Sequence, residues 1–422
     1  MKKKQHALSG KIEIMYSDSE DMAKEVKQKL ILHWNYRGLK EIPEVVRTYG
    51  SHIEEVYLKW NQLTYLPIWI AELHNIKNLY LYGNRIHNLP EQFGAVRQLT
   101  VLDLSANQFQ SVPGCIGELS NLKSLLLNDN SIKKLPAELH RLERLEVLSI
   151  SGNRLVTLPE WLGSLPNLRE LNVDNNLLKE LPNRLTLASE LSSISVCSNR
   201  LRYLPLNGFL SNPIIRFDSN NCLNYLSYIV LCQMIIAVPR PRNVGNVLAY
   251  GCFNIHKEGN LSHNNIKLII SAHTANEELI KIPIELPRQL LKVYTVHENR
   301  TVSLWELALR KIYNSRYRHT VEIFVSPLKV KVSHQLVRKR KLSQHLPDDY
   351  VPYNLIENGP ISICTNPHCQ EPIFTEAWVT VGMGRYVYSI PTVALCCSRS
   401  CASKYVAFSG GIMNLLWHIA DD

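Results

Sequence analysis

Apolar and polar positions in this chain follow one fixed period. Asparagines stand at 61, 84, 107, 130, 153, 176 and 199, each 23 residues after the last. Each closes the same frame, as in Leu79-Tyr80-Leu81-Tyr82-Gly83-Asn84-Arg85-Ile86 and Leu148-Ser149-Ile150-Ser151-Gly152-Asn153-Arg154-Leu155. A Leu-Pro or Val-Pro step follows every asparagine, from Leu66-Pro67 to Leu204-Pro205. Alternation around the leucines predicts a short strand, leucines facing in and the residues between them facing out. The asparagine turns the chain off the strand, and its amide bonds backbone groups that the turn leaves unpaired. Proline lacks an N–H and starts the return segment. No single copy can bury its own leucines. Stacking does so, at about 1.5–3 kcal/mol per fully buried leucine.

A frame of this period, L-x-x-L-x-L-x-x-N-x-L, resembles the leucine-rich repeat. It predicts an α/β chain: a leucine-rich repeat solenoid (horseshoe) of about 8–9 repeats, then a small mixed α/β domain. The ends of the array are irregular. Leu32-His33-Trp34-Asn35-Tyr36-Arg37-Gly38-Leu39 carries the frame with Ile42-Pro43 after it. Its Asn35 stands 26 residues before Asn61, which places an insertion near Tyr49-Gly50. Ile215-Arg216-Phe217-Asp218-Ser219-Asn220 carries a last copy without the proline step. The apolar run Leu223–Val238 is expected to cover the open end, and Pro239-Arg240-Pro241-Arg242 to mark a boundary. The expected divisions are 1–31, a tail or a capping helix; 32–238, the solenoid with its cap; 239–345, a mixed segment; and 346–422, a cysteine-bearing region.

Beyond residue 244 the runs 247–255, 266–272, 279–286, 292–296 and 319–326 read as strands. Val302–Tyr313 reads as a helix, with Leu304, Ala308 and Ile312 on one face and Ser303 and Glu306 spaced as a capping box. Arg338-Lys339-Arg340-Lys341 is a basic run of the kind usually found in a solvated loop.

Composition changes this picture little. The 422 residues are 45% hydrophobic and 20% charged, as in an ordinary folded protein. A net charge of +10 is compatible with an acidic partner, a membrane surface or RNA, but solubility alone accounts for it; nucleic acid is not the expected partner. No apolar run reaches the length of a membrane span and the N-terminus does not read as a secretory signal, so a cytoplasmic or nuclear setting without a membrane is expected. The chain has no Gly-rich phosphate loop, no G-x-S-x-G and no H-E-x-x-H, so no catalytic residue is nominated and an enzyme is not expected.

Two sets of residues carry candidate chemistry. The outward array positions are Tyr57, Lys59 and Trp60, then Tyr80 and Tyr82, then Asp103, Asp129, Asn172 and Asp174. Exposed tyrosine and tryptophan are hot-spot types, so a protein partner is expected on this concave face. The plainer alternative is that outward strand positions favour aromatics for packing. The second set is Cys364-Thr365-Asn366-Pro367-His368-Cys369 and, after 27 residues, Cys396-Cys397-Ser398-Arg399-Ser400-Cys401. Two close pairs around a strand-forming stretch have zinc-ribbon-like spacing, and four thiolates close a tetrahedral zinc site with no open position. The expected ligands of one structural zinc ion are Cys364, Cys369, Cys397 and Cys401. Cys396 is an alternative to Cys397, and His368 to one cysteine; buried free thiols are the competing reading.

The order of array, helix and double cysteine pair resembles a family of intracellular leucine-rich repeat-containing proteins, over residues 30 to 410. Its repeats resemble those of Ras-pathway scaffolds, which implies partner binding. Ser303-Leu304, Ala308 and Ile312 are also similar to the short helix by which ubiquitin-ligase substrate receptors dock on elongin B/C, although alanine stands where cysteine is usual. Leu346–Leu355 is loosely similar to a cullin-selecting segment. The resemblance therefore implies either a signalling scaffold or a substrate receptor, with Leu304, Ala308 and Ile312 touching the adaptor. A helix packed on its own domain is the plain alternative.

Overall fold

The computed structural model describes residues 20–211, 213–231, 249–250, 265–273, 279–317, 320–325, 328–333, 355, 358–383, 391–409 and 415–420. The chain forms two compact units. One takes Met1–Leu155 and Leu165–Val173; the other takes Val156–Ser164 and Asp174–Asp422.

The first unit is built on seven three-residue strands: β1 (Ile31–His33), β2 (Glu55–Tyr57), β3 (Asn78–Tyr80), β4 (Val101–Asp103), β5 (Ser124–Leu126), β6 (Val147–Ser149) and β7 (Glu170–Asn172). Each pairs in parallel with the next, and the register aligns Leu32, Val56, Leu79, Leu102, Leu125, Leu148 and Leu171. All seven are buried, as the alternation requires. After each Leu-Pro or Val-Pro step the chain enters one 3₁₀ turn: Ile68–Glu72, Glu91–Ala95, Gly114–Glu118 and Ala137–Arg141. Pro67, Pro90, Pro113 and Pro136 stand at the N-cap, where the fixed proline φ suits the entry and no N–H is required.

The asparagines join neighbouring copies. Asn84 Nδ2 donates to the Leu58 and Leu81 carbonyls at 2.9 Å, and its Oδ1 accepts from the Leu63 N–H at 3.0 Å. Asn107, Asn130 and Asn153 repeat the arrangement one copy further on each time. The first copy departs from the expected alignment. Leu32 faces Val56, so the step is 24 residues and Arg37, not Asn35, occupies the ladder position. The Arg37 and Leu39 N–H groups donate to Asn61 Oδ1 at 3.1 and 3.0 Å. Asn35 accepts instead from the Lys59 N–H at 2.7 Å. The extra residue is absorbed where Val45–Tyr49 forms a short α-helix. It ends at Gly50, where a Cβ would stand 2.4 Å from the Val46 carbonyl oxygen.

A helix over 20–28 closes this end, of the two readings left open for the N-terminus. Glu25 accepts from Trp34 Nε1 and Arg37 Nη2 at 3.0 Å and from Lys29 Nζ at 3.2 Å. Burial alone would raise the Glu25 carboxyl, but these three donors hold it below the ordinary carboxylate value.

The second unit begins with the 3₁₀ turns Glu160–Ser164 and Asn183–Leu187 and the parallel strands β8 (Ser193–Ser195) and β9 (Ile214–Arg216). Asn220 repeats the ladder bonds, donating to Val196 and Phe217 and accepting from the Leu201 N–H. Then come β10 (Leu226–Ser227) and β11 (Ala249–Tyr250), which pairs with β9. A hairpin of β12 (Lys267–His273) and β13 (Leu279–Glu285) and a strand β14 (Lys292–Tyr294) precede helix α1 (Leu304–Tyr317). The rest is β15 (Thr320–Val325), β16 (Leu328–Ser333), β17 (Ser362–Ile363), β18 (Pro372–Ile373), β19 (Glu376–Met383), β20 (Pro391–Cys396), helix α2 (Arg399–Phe408) and β21 (Trp417–Ile419). One mixed sheet has the order β10-β20-β19-β14, and an antiparallel sheet the order β13-β12-β21. The strand β16, which pairs with β15, was not expected, although Leu328-Lys329-Val330-Lys331-Val332 alternates.

The last repeats and the C-terminal strands share one core. Tyr203, Leu206 and Tyr225 join Leu268, Ile270, Ile282, Trp378, Val393 and Leu395 in it. The expected boundary at 238/239, the basic run 338–341 and most of the 346–355 segment lie outside the described residues.

Replacing Asn84 by alanine leaves the Leu63 N–H without an acceptor in a buried seam, while the Leu58 and Leu81 carbonyls each lose one of two amide donors and keep Asn61 and Asn107. At about 1–3 kcal/mol for one unpaired buried group, a loss of about 1–3 kcal/mol is expected. A urea titration followed by circular dichroism measures it; a shift under about 0.5 kcal/mol would contradict the role assigned to the ladder.

Candidate metal centre and partner surface

The cysteine cluster is assembled by two loops of the second unit. Strands β17 and β18 pair with Ile363 facing Pro372, so the loop between them carries Cys364 and Cys369. Within it the Cys369 N–H donates to the Asn366 carbonyl at 3.0 Å, and the Thr365 N–H reaches the Leu395 carbonyl on β20 at 2.9 Å. Cys397 follows β20, and Cys401 lies in the first turn of α2. Ser398 caps that helix, its hydroxyl accepting from the Cys401 N–H at 3.2 Å.

The Sγ atoms of Cys364, Cys369, Cys397 and Cys401 all lie within 4.8 Å of one another. Cys369 and Cys397 are 3.3 Å apart, Cys397 and Cys401 3.7 Å. A zinc ion with Zn–S bonds of about 2.3 Å places tetrahedral sulfurs about 3.8 Å apart, so this donor set fits a metal ion. The Cys397 N–H points at Cys364 Sγ over 3.4 Å, a bond that stabilises a thiolate. Hydrogen bonding with Cys364 pushes the Cys369 thiol well down and the Cys401 thiol down to about 6, while the same partners push Cys364 up. Cys396 and His368 do not belong to the group of four.

Helix α1 is fastened to this cluster by a buried pair. Glu306 accepts from the Phe374 N–H at 2.9 Å, the Thr375 N–H at 2.7 Å and the Thr375 hydroxyl at 2.9 Å. Arg310 Nε donates to Glu306 at 2.9 Å, and its Nη1 to the Cys397 carbonyl at 3.2 Å. Leu309 and Tyr313 pack on Phe374 beside the pair. The capping box forms in half. Ser303 Oγ accepts from the Glu306 N–H, but the acceptor for the Ser303 N–H is Glu376, because Glu306 is engaged by the β18–β19 turn. The helix thus packs on its own domain through Glu306, Leu309, Arg310 and Tyr313. Leu304, Ala308 and Ile312 lie on its exposed side, with Leu304 86% exposed and Trp305 and Leu307 beside it.

On the first unit the outward strand residues form an aromatic ladder. His33 stacks on Tyr57 at 4.8 Å and Tyr57 on Tyr80 at 4.6 Å. Lys59 Nζ lies 4.7 Å from the Tyr80 ring centre and 3.9 Å from Asp103. Tyr57 donates to Glu55 at 2.9 Å, which pushes its hydroxyl up to about 12. Trp60 is not on the strand. It occupies the turn residue before the ladder asparagine, at φ 56°, as Tyr36 does one copy earlier at 59°. Gly83 and Gly152 stand at the same place in other copies. A bulky residue in left-handed backbone costs on the order of 1–2 kcal/mol. Tyr36 and Trp60 stack at 6.4 Å, and Tyr82 meets Trp60 edge-on at 5.3 Å. Gly83 makes room for the indole, since a Cβ there would come within 2.8 Å of it.

Two of the acidic positions, Asp103 and Asp174, bond within the repeats. Asp103 is buried and accepts from the Ser105 N–H at 3.0 Å. Asp129 is exposed and lies over Gly152. Asn172 is half-buried at the end of β7. In the second unit Asp174 accepts from the Ser195 hydroxyl at 2.8 Å and the Cys197 N–H at 2.6 Å. The second unit also holds a cavity of about 250 Å³, which sequence reasoning missed. Its polar walls are paired: Glu180 takes the Tyr203 hydroxyl at 2.5 Å and Arg288 at 2.8 Å, and Glu160, pushed up by burial, caps the Asn183–Leu187 turn.

The strand ladder, the 3₁₀ returns and the asparagine seam are those of a leucine-rich-repeat solenoid, and residues 120–178 match the family described as leucine rich repeat. Among solved structures the chain is similar to the repeat ectodomain of the Arabidopsis thaliana receptor kinase GASSHO1/SCHENGEN3, solved in complex with CASPARIAN STRIP INTEGRITY FACTOR 2. That match has 24% identity and a TM-score of 0.39, over 44% of this chain and 25% of that one. It is also similar to internalin C2 of Listeria monocytogenes, with 25% identity and a TM-score of 0.38, over 42% of this chain and 76% of that one. A leucine-rich-repeat protein of Leptospira interrogans matches 46% of this chain and 67% of its own, with 24% identity and a TM-score of 0.30. The chain spans about a quarter of the plant receptor ectodomain.

Replacing Glu306 by alanine strands Arg310 and two backbone N–H groups in the core. Breaking a buried pair from one side costs about 3–5 kcal/mol. The thermal midpoint of the second unit should fall well below that of wild type, read by differential scanning calorimetry; an unchanged midpoint would contradict the anchoring role.

Proposed function

We propose that this protein is a non-enzymatic interaction scaffold that holds a protein partner on the strand face of its array. The observation that carries this reading is the stacked His33–Tyr57–Tyr80 column with Lys59 against its last ring. Rigid aromatic rings offer large contact area at little entropic cost, which is why such residues dominate binding energy. The partner surface comprises Tyr57, Lys59, Trp60, Tyr80 and Tyr82, with the exposed Asp129 and the half-buried Asn172 along the same unit; the buried Asp103 serves the array, and Asp174 belongs to the second unit. The four cysteines hold one structural zinc ion that ties the β17–β18 loop to α2. The order of array, helix and cysteine pairs resembles leucine-rich repeat-containing protein 28, and more distantly leucine-rich repeat-containing protein 58, which favours a cytoplasmic signalling role.

A second reading, a substrate receptor of a cullin–RING ubiquitin ligase, is favoured by one feature. Leu304, Ala308 and Ile312 are exposed while the opposite side of α1 is anchored. An exposed apolar i, i+4, i+8 face is the form in which a helix enters an adaptor groove such as that of elongin B/C.

Purified protein should carry about one zinc per chain by atomic absorption; a stably folded, metal-free protein would sink the metal assignment. Affinity purification separates the two partner readings. Leu304→Asp should remove elongin B/C and a cullin if the ligase reading is right, and that reading fails if wild type recovers neither. Tyr57→Ala with Tyr80→Ala should remove the array's partner with the fold intact, and equal recovery by this double variant would move the site off the strand face.

A further inference from the structure

Charge is segregated along the repeats of the first unit. The stretches that follow its ladder asparagines, 61–67, 84–90, 107–113, 130–136 and 153–155, contain Arg85, Lys133, Lys134 and Arg154 and no carboxylate. All four cations are exposed, and among the described residues none of them has an ion-pair partner. The acids lie elsewhere in each copy, as with Glu91, Glu118 and Glu138 in the 3₁₀ turns. Successive copies are about 4.8 Å apart, so Arg85 and Arg154, three copies apart, define a strip of about 15 Å. At the N-terminal end of the strip stands the platform of Tyr36 and Trp60. Tyr36 is 73% and Trp60 49% exposed, both are held in left-handed backbone, and the Trp60 indole lies over Gly83, two residues before Arg85.

We infer that this edge of the array binds an extended acidic peptide segment, with one apolar side chain on the Tyr36–Trp60–Tyr82 platform and carboxylates on Arg85, Lys133, Lys134 and Arg154. The inference rests on the reading that the array holds a protein partner, and it supplies the chemistry of that partner. The spacing suits a peptide. An extended chain advances about 3.3 Å per residue, so about five residues cover the strip, with carboxylates near its ends reaching Arg85 and Arg154 and others between them reaching Lys133 and Lys134. The strain held at Tyr36 and Trp60 has a use under this arrangement: smaller residues stand at this turn in the other copies, and only aromatic ones there give a landing surface.

The test uses the purified full-length chain and a fluorescein-labelled peptide of glutamate alternating with serine and ending in one phenylalanine. Its controls are the same peptide with glutamine for glutamate and a single-stranded RNA oligonucleotide. Fluorescence anisotropy should show binding that weakens as salt rises. Arg85→Glu with Arg154→Glu should weaken it by about tenfold or more, and Trp60→Asn, which suits the left-handed turn, should weaken it by a similar factor. An equal affinity for the glutamine peptide, a tighter affinity for the RNA, or full binding by both variants would overturn the inference. The strand-face reading fails separately. If Tyr57→Ala with Tyr80→Ala still recovers the cellular partner while the edge variants lose the peptide, the edge site stands and the strand-face site does not.

Discussion

Everything in the array depends on pairing the backbone at a turn that recurs in every copy. Where the chain leaves a strand, carbonyls such as Leu58 and Leu81 and an N–H such as Leu63 face a dry interior with no strand partner. One asparagine satisfies all three because it carries two donors and an acceptor on a short stem. Since it reaches into the preceding copy as well as its own, it also sets the distance between copies. The leucines supply most of the burial, but the asparagine requires the copies to stay in step. This explains why the residue before it visits left-handed backbone along the array, and why glycine, asparagine, serine and aspartate hold that place in several copies.

Much of the first unit was legible in the sequence because a solenoid repeats its own instructions. Period, inward leucines and proline entries each appeared several times over. The error at the first copy has the same origin. Asn35 imitates the ladder residue two positions early, and only the register of Leu32 against Val56 reveals that Arg37 holds the place. The pairing of two cysteine knuckles was legible from spacing, but spacing left Cys396 and Cys397 equivalent, and only the fold around β20 brings Cys397 rather than Cys396 into the group of four. Glu306 was not legible in its role. Its partners Phe374 and Thr375 lie 68 and 69 residues away, and nothing local distinguishes a capping glutamate from one turned into a core. Nor could the sequence reveal that Asp103 and Asp174, outward by position, bond their neighbours in the array.

The candidate surfaces differ in how they are held. The tyrosine column is fixed by strand register and by stacking, so its rings need little further ordering to receive a partner. The exposed face of α1 is fixed from behind, by a carboxylate bonded to the β18–β19 turn and a guanidinium that reaches the Cys397 carbonyl. A surface of that kind is only as firm as the residues beneath it, which links the integrity of the sulfur cluster to a helix face well removed from it in sequence.

The shared core of the second unit has a consequence for how the chain reaches its structure. In the array a side chain closes on a partner about one copy back; Asn84 reaches Leu58, 26 residues away. In the second unit Asn207 donates to the Pro360 carbonyl across 153 residues. By loop-closure entropy the longer contact costs roughly 1.5 kcal/mol more to initiate. The repeats of the first unit can therefore assemble copy by copy as they leave the ribosome. The last repeats must wait, their apolar edge uncovered, until the final strands have been synthesised. During that interval Tyr203, Leu206 and Tyr225 lack the core neighbours Leu268, Trp378 and Leu395 that bury them in the finished fold.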